Sequence, residues 1–262
     1  MTEVLTIEDH DGVRTLTMNR PESFNSLTVE LKEALITALD SAASDASVRS
    51  VVLTGAGKAF CAGQDLKEHV ELLRGGDPEP LATVDKHYNR IVTAITTLPK
   101  PIIAAVNGMA AGAGASFAYA CDLRIVATTT RFLMAFAGVG LSADSGASWT
   151  LPRLIGYGRA MEMLLLAKPV DAEEALRIGL VNLVLPAENV LPAAQGLAST
   201  MAAGPTTAYA KIKEALLASA GSSLADGLAV EGRTQREAGG SADHREGVEA
   251  FVAKRQPEFV GR

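Results

Sequence analysis

Between Pro101 and Cys121 the chain reads PIIAAVNGMAAGAGASFAYAC, without one charged side chain. By length alone this run could cross a bilayer. Its content argues against that. Asn107 and Ser116 are polar, and most of the remainder is Ala and Gly rather than Leu, Ile or Phe. Three shorter pieces fit it better: a buried strand over Pro101–Val106, a turn of Gly and Ala, and a buried helix running to Cys121.

The same order of strand, small-residue turn and helix recurs on either side. Val4–Ile7 and Val13–Met18 carry β-formers around Asp11-Gly12, as a hairpin does. After the loop Asn19–Ser26, the apolar residues Leu31, Leu35, Ala38 and Leu39 recur at helical spacing. Val51–Leu53 is a short buried strand entering the glycine-containing loop Gly55–Gly63, with Asp65 near the start of the next helix. Lys67–Pro80, charged and holding Gly and Pro, is expected to be a mobile surface segment, and a helix is expected over Val84–Leu98. Beyond the opening run, Ile125–Ala127 and Phe132–Met134 are further short strands. The repetition implies an α/β fold with crossover connections.

From about Leu197 the pattern is helical only. Ala208, Ile212 and Leu216 form one apolar stripe, Leu224 and Leu228 a second, and Val248, Phe251 and Val252 a third, with Ser241 and Asp243 as candidate N-caps. Such stripes must be buried on the chain's own core or on a neighbouring subunit. The chain thus divides into a core over 1–196 that carries the site and a helical region over 197–262.

Composition narrows the class. The 262 residues are 48% hydrophobic and 21% charged, enough for one sizeable core. A formal net charge of −6 gives no bulk attraction for nucleic acid or an anionic membrane. Cys61 and Cys121 lack CxxC spacing and suit small buried apolar sites in a reducing compartment. Met1-Thr2-Glu3-Val4 has no basic region followed by an apolar one, so a cytoplasmic protein is expected. Neither HxxH, CxxC nor GKS/GKT patterns occur, and no metal or redox cofactor is expected.

Several stretches together resemble the crotonase (enoyl-CoA hydratase/isomerase) superfamily. They are Asn19-Arg20-Pro21 with Asn25-Ser26-Leu27, Gly55–Asp65 (GAGKAFCAGQD), Asn107–Gly114, Asp122–Ile125, Gly140-Leu141 through Leu151-Pro152-Arg153, and Glu246-Gly247 through Phe251, Lys254-Arg255, Pro257 and Phe259. The resemblance runs along nearly the whole chain. It implies a spiral of ββα units with a C-terminal helical region that builds a homotrimer or a dimer of trimers. It also implies an acyl-CoA thioester substrate, coenzyme A being part of that substrate and not a cofactor. The shared chemistry is enolate formation, with the thioester oxygen met by two backbone N–H groups. By motif these are the amides of Gln64 and Ala113. The small residues beside them, Gly63, Gly112 and Gly114, let the backbone approach a ligand closely, although tight helix–strand packing also demands glycine. Ala62, Asp65, Leu66, Arg20 and Ser26 fall in the same substrate-binding motifs, and Lys254 and Phe259 match residues that reach CoA from a neighbouring subunit. Arg20, Lys67, Lys254 and Arg255 are of the right type for the CoA phosphates.

The proton-moving group is where the chain departs from the family. Typical hydratases use two glutamates, whose positions here hold Ser116 and Phe136. Neither side chain can act as a carboxylate acid or base, which argues against a standard hydratase. A carboxylate stands later, in Leu141-Ser142-Ala143-Asp144-Ser145-Gly146. With Phe132, Phe136 and Trp149 around it, this pattern is similar to the ring-1,2-epoxyphenylacetyl-CoA isomerase branch. Asp144 is therefore the expected base, partly desolvated among Leu141, Ala143, Ala147 and Trp149. The plainer alternative is that it caps a helix starting near Ser145, and a side chain at that terminus could fill both roles. Phe136 and Trp149 are read as pocket walls or core, Asp65 as a helix cap, and His69 and His87 as solvent-facing. The favoured activity is an enoyl-CoA isomerase. The alternatives are a hydratase in which Asp144 handles water alone and a non-catalytic acyl-CoA binder; a ring dehalogenase is disfavoured because that branch has tryptophan where Phe136 stands.

Overall fold

A computed structural model describes residues 3–262; Met1 and Thr2, the start of the stretch read against a leader, lie outside it. β1 (Leu5–His10) and β2 (Val13–Met18) make the expected antiparallel hairpin around Asp11 and Gly12, both at positive φ. α1 (Val29–Ser44) follows, its first turn capped by the Thr28 hydroxyl, and leads to β3 (Ser50–Gly55) and β4 (Ala59–Cys61). α2 (Leu66–Arg74), a π-helical turn at Val84–Tyr88 and α3 (Asn89–Thr97) come next. The uncharged run is β5 (Ile102–Val106), β6 (Met109–Ala111) and α4 (Gly112–Ala120). Then come β7 (Leu123–Ala127), β8 (Arg131–Leu133), α5 (Ala147–Ile155), α6 (Tyr157–Leu166), β9 (Val170–Asp171), α7 (Ala172–Arg177) and β10 (Leu183–Leu185). The chain ends in α8 (Ala187–Ala202), α9 (Thr206–Ser219), α10 (Leu224–Gly239) and α11 (Ala242–Ala253). No helix among the described residues is long and apolar enough to cross a membrane.

The strands form two sheets, ordered β1-β2-β3-β5-β7-β10 and β4-β6-β8-β9. Within the larger sheet every pair from β2 to β10 is parallel. Its middle strands β3 and β5 are buried along their whole length, as a covered parallel sheet requires, while the edge strand β1 is largely exposed. Along β5, Ile102, Ala104 and Val106 enter the main core while Ile103 and Ala105 face α8. There Val190, Ala194, Ala198 and Ala202 meet them, small residues that let the helix lie close to the sheet.

Three expectations need correction. Lys67–Pro80 is helical up to Arg74: Asp65 caps its start, Glu68 lies in its first turn and Arg74 in its last, an arrangement that suits the helix dipole. Position 197 falls inside α8, which belongs to the sheet, so the apolar stripes belong to helices starting at Thr206. Asp243 does not cap α11. Ser241 does, accepting from the His244 amide, while Asp243 is buried and receives the Val260 and Gly261 amides of the C-terminal tail. The stripes are not buried by the chain itself: Leu224 is 80% and Phe251 85% exposed. Both cysteines are buried and free, and burial pushes each thiol up to about 12.

Candidate active site

The smaller sheet assembles the site. β4, β6 and β8 run parallel side by side, so the segments leaving their C-terminal ends emerge on one edge. Those segments are Gly63–Gln64, the start of α4 at Gly112–Ala113, and the stretch from Met134 to Ser145. Gly63 (φ +87) brings the first two together: a methyl group on it would lie 2.8 Å from the Ala111 carbonyl oxygen and 3.6 Å from the Ala113 nitrogen. Gln64 is held by a single parallel bridge to Leu27, in which the Leu27 amide donates to Gly63 and the Asp65 amide to Leu27. The Gln64 N–H takes part in neither bond. Ala113 lies in the first turn of α4, whose amides have no intrahelical acceptor, and Ala111 at its N-cap offers no side-chain one. Two expected donors thus sit on adjoining segments, one of them at the positive end of a helix. The three glycines divide between the two roles read for them. A methyl on Gly114 would strike the Cys61 carbonyl at 2.5 Å, so Gly114 serves packing of α4 on β4, whereas one on Gly112 (φ +49) would meet nothing within 4 Å.

Asp144 sits on the third loop, half-buried, and its carboxylate accepts one hydrogen bond, from the Ser145 hydroxyl at 2.7 Å. Burial raises its pKa above the ordinary aspartate value, only partly opposed by Ser145. It does not cap α5. The helix starts at Ala147 with Gly146 at its N-cap and no side-chain cap, and Asp144 contributes only its backbone carbonyl, to the Ala147 amide. Ser145 (φ +52) and Gly146 (φ +74) are both left-handed, and Gly146 is pressed against Val92 of α3. A buried serine in that conformation is a strained corner of the kind that collects at functional sites.

The glutamate positions hold what the sequence shows: Ser116, buried, gives its hydroxyl to the Gly112 carbonyl at 3.0 Å, and Phe136 is buried in the core. Asp65 is indeed a cap. One of its oxygens accepts from the Lys67 and Glu68 amides, the other from the Ser26 hydroxyl at 2.8 Å and the Arg20 guanidinium at 3.0 Å. Burial alone would raise its pKa, but these bonds outweigh it and hold the carboxylate below the usual range. Arg20 and Ser26 are thereby committed to bracing the loop beneath Gln64. Ala62 is half-buried and donates its amide to the Phe24 carbonyl, and Leu66 is exposed beside it. Trp149 is 38% exposed with Arg153 stacked 4.0 Å over its ring. Lys254 caps α11 at φ +54 and is exposed; Phe259 is half-buried against Gly247. Arg255 is paired with Glu246, and Lys67 is exposed. His69 and His87 are both half-buried rather than solvent-facing, and His87 Nδ1 lies 3.0 Å from the Thr83 hydroxyl.

One residue escaped the sequence reading. Tyr88, 2% exposed at the end of the π-helical turn, donates its hydroxyl to the Gln64 side-chain oxygen. With Ile91 and Ile95 it makes a helical apolar stripe, which in a sequence looks the same as ordinary core.

A family model described as Enoyl-CoA hydratase/isomerase matches residues 8–262. The chain belongs to that family. It is 42% identical over 262 residues to the 1,2-epoxyphenylacetyl-CoA isomerase of Escherichia coli (strain K12), with 100% of both chains covered. It is also 42% identical over 258 residues to a Rhodobacter capsulatus protein named "Probable enoyl-CoA hydratase", covering 97% of each. The crystal structure of an enoyl-CoA hydratase from Polaromonas sp. JS666 superposes with a TM-score of 0.92 at 35% identity, over 97% of this chain and 99% of that one. The fold is the crotonase fold, and an acyl-CoA thioester substrate is consistent with the family.

Proposed function

We propose that this family member is an enoyl-CoA isomerase that stabilises a thioester enolate and moves one proton with Asp144. The observation that carries the reading is the state of that carboxylate. It is half-buried, raised in pKa and nearly free of partners, while the two positions that hold glutamates in hydratases carry a buried serine and a buried phenylalanine. The isomerase name of the Escherichia coli relative supports it.

On a 3-enoyl thioester the Asp144 carboxylate takes a proton from C2. The electron pair flows toward the thioester oxygen, which the Gln64 and Ala113 amides receive. Fixed donors need no reorganisation as the charge develops, and losing one costs ~10²–10³ in rate. The carboxylic acid so formed returns the proton to C4, and the double bond moves from C3–C4 to C2–C3. The raised pKa of Asp144 strengthens it as a base for the first step. The exposed stripes of α9, α10 and α11 form the contacts of a homotrimer or a dimer of trimers, in which Lys254 and Phe259 approach the CoA of a neighbouring site.

The test is a paired assay on a 3-enoyl-CoA and a 2-enoyl-CoA, with an arylacetyl-derived thioester alongside. Conversion of the 3-enoyl to the 2-enoyl thioester by wild type, abolished in Asp144→Asn, is the expected result. Rapid hydration of the 2-enoyl thioester would overturn the reading and favour the hydratase that the Rhodobacter relative's name describes.

A further inference from the structure

Tyr88 belongs to a buried polar chain that the reaction as written does not use. Its ring meets Phe117 of α4 edge-on at 6.1 Å, and the Lys32 ammonium lies 5.4 Å from the ring centroid. Lys32, on α1, is 1% exposed and donates to the Thr83 hydroxyl at 2.7 Å. A buried lysine with one neutral acceptor and an aromatic face is costly to keep, which marks it as more than packing. The chain ends at the Gln64 side-chain oxygen, on the residue whose amide is the first expected oxyanion donor.

We infer that Tyr88 is a positioning residue for the oxyanion site, acting through the Gln64 side chain with Lys32 locking its ring from behind. This rests on reading Gln64 as a donor to the thioester oxygen. Tied to Tyr88, the Gln64 side chain is fixed, and through it the backbone amide is held in place. The cation on the ring face strengthens the phenol as a donor. Burial, and after it the charge of Asp144, keeps the hydroxyl protonated, so it is a permanent donor.

The experiment uses 2,4-hexadienoyl-CoA, whose ultraviolet band moves to longer wavelength when its carbonyl is polarised. It is bound to Asp144→Asn protein so that no turnover interferes. The expected result is a clear shift in Asp144→Asn and a largely lost one when Tyr88→Phe is added. Gln64→Met, which keeps the backbone amide, is expected to lose the same amount, with no further loss when combined with Tyr88→Phe. In the Asp144-intact protein, Tyr88→Phe is expected to lower kcat about tenfold with KM unchanged, short of the ~10²–10³ for deleting a donor. An undiminished shift in Tyr88→Phe overturns the inference and leaves the donor pair standing. So do additive losses for Tyr88→Phe and Gln64→Met, because they mean Tyr88 does not act through Gln64. If Asp144→Asn binds the probe with no shift at all, the donor pair itself fails and the inference falls with it. Should Tyr88→Phe not fold, Lys32→Met with Gln64→Met makes the same comparison.

Discussion

Asp65 and Asp144 are two carboxylates withdrawn from water on the first and third segments leaving one edge of the smaller sheet, and they have been put to opposite uses. Burial raises both. At Asp65 the hydroxyl of Ser26, the guanidinium of Arg20 and two backbone amides overcome it; at Asp144 a single hydroxyl does not. The backbone repeats the contrast. Phe24 and Asn25 are consecutive left-handed residues, as are Ser145 and Gly146. The first corner is bolted down: the Asn25 amide group donates to the Ala56 and Ala59 carbonyls and its oxygen accepts from the Arg20 amide. The second is held by bonds local to its own turn and helix, the Ala147 amide on the Asp144 carbonyl and the Thr150 hydroxyl on the Gly146 carbonyl, with Gly146 packed against Val92. Burial does not by itself make a base; a shortage of partners does. One loop carries its carboxylate as a fastener, the other leaves its carboxylate free to exchange a proton.

Removing each carboxylate should separate the two roles. Asp144→Asn is expected to lower isomerase kcat by ~10²–10⁴-fold, the usual worth of a general base, while thioester affinity stays near wild type. Its thermal midpoint should rise, because a poorly partnered buried charge is gone. Asp65→Ala should do the reverse. Arg20 is left with a buried vacancy and α2 without its cap, for a loss of about 3–5 kcal/mol read from the urea midpoint. A stable Asp65→Ala protein, or an unstable but active Asp144→Asn one, would erase the distinction.

The sequence showed the kinds of parts better than their partners. The strand–turn–helix of Pro101–Cys121 and the hairpin at Asp11-Gly12 were legible because apolar runs and turn residues mark them locally. β4 and β6 were not, because Ala59–Cys61 and Met109–Ala111 lie inside Gly- and Ala-rich stretches that read as turns, yet they align the two donor loops. α2 was hidden because its charges and the Gly and Pro that follow dominate the stretch, although Leu66, Val70 and Leu73 stand at helical spacing on an exposed face. Asp144 stood out by position, but its freedom from a capping role depended on the helix starting two residues later than a cap at 144 requires. Tyr88 was invisible as a functional residue because its hydroxyl partner is distant in sequence, while its ring obeys the core pattern.

Titration sharpens the comparison with a smaller effect. Asp65, lowered in the fold, contributes stability that is present above the ordinary value of 3.8 and is lost as pH falls through its folded pKa. Asp144 has the opposite sign. Its contribution is full below 3.8 and is lost as pH rises through its raised folded value. Wild-type stability measured against Asp144→Asn should therefore decline over that window and level off above it. A flat difference would mean that Asp144 is not perturbed.

The finest test lies in Ser145, the only restraint on that carboxylate among the described side chains. Ser145→Ala removes the hydroxyl and should push Asp144 further up, moving the acid limb of kcat/KM to higher pH. On that limb the rate should drop about threefold, the size of one ordinary hydrogen bond, and recover to wild type at alkaline pH. Ser145→Gly should give the same pH displacement. It should also gain about 1 kcal/mol, because glycine takes the φ +52 conformation without the strain of a Cβ. Two variants alike in their pH profile and unlike in stability would separate what the hydroxyl does for the base from what the backbone corner costs the fold. If the alanine variant leaves the acid limb where it was, Asp144 owes its state to burial alone and the contrast with Asp65 reduces to the number of partners on one side.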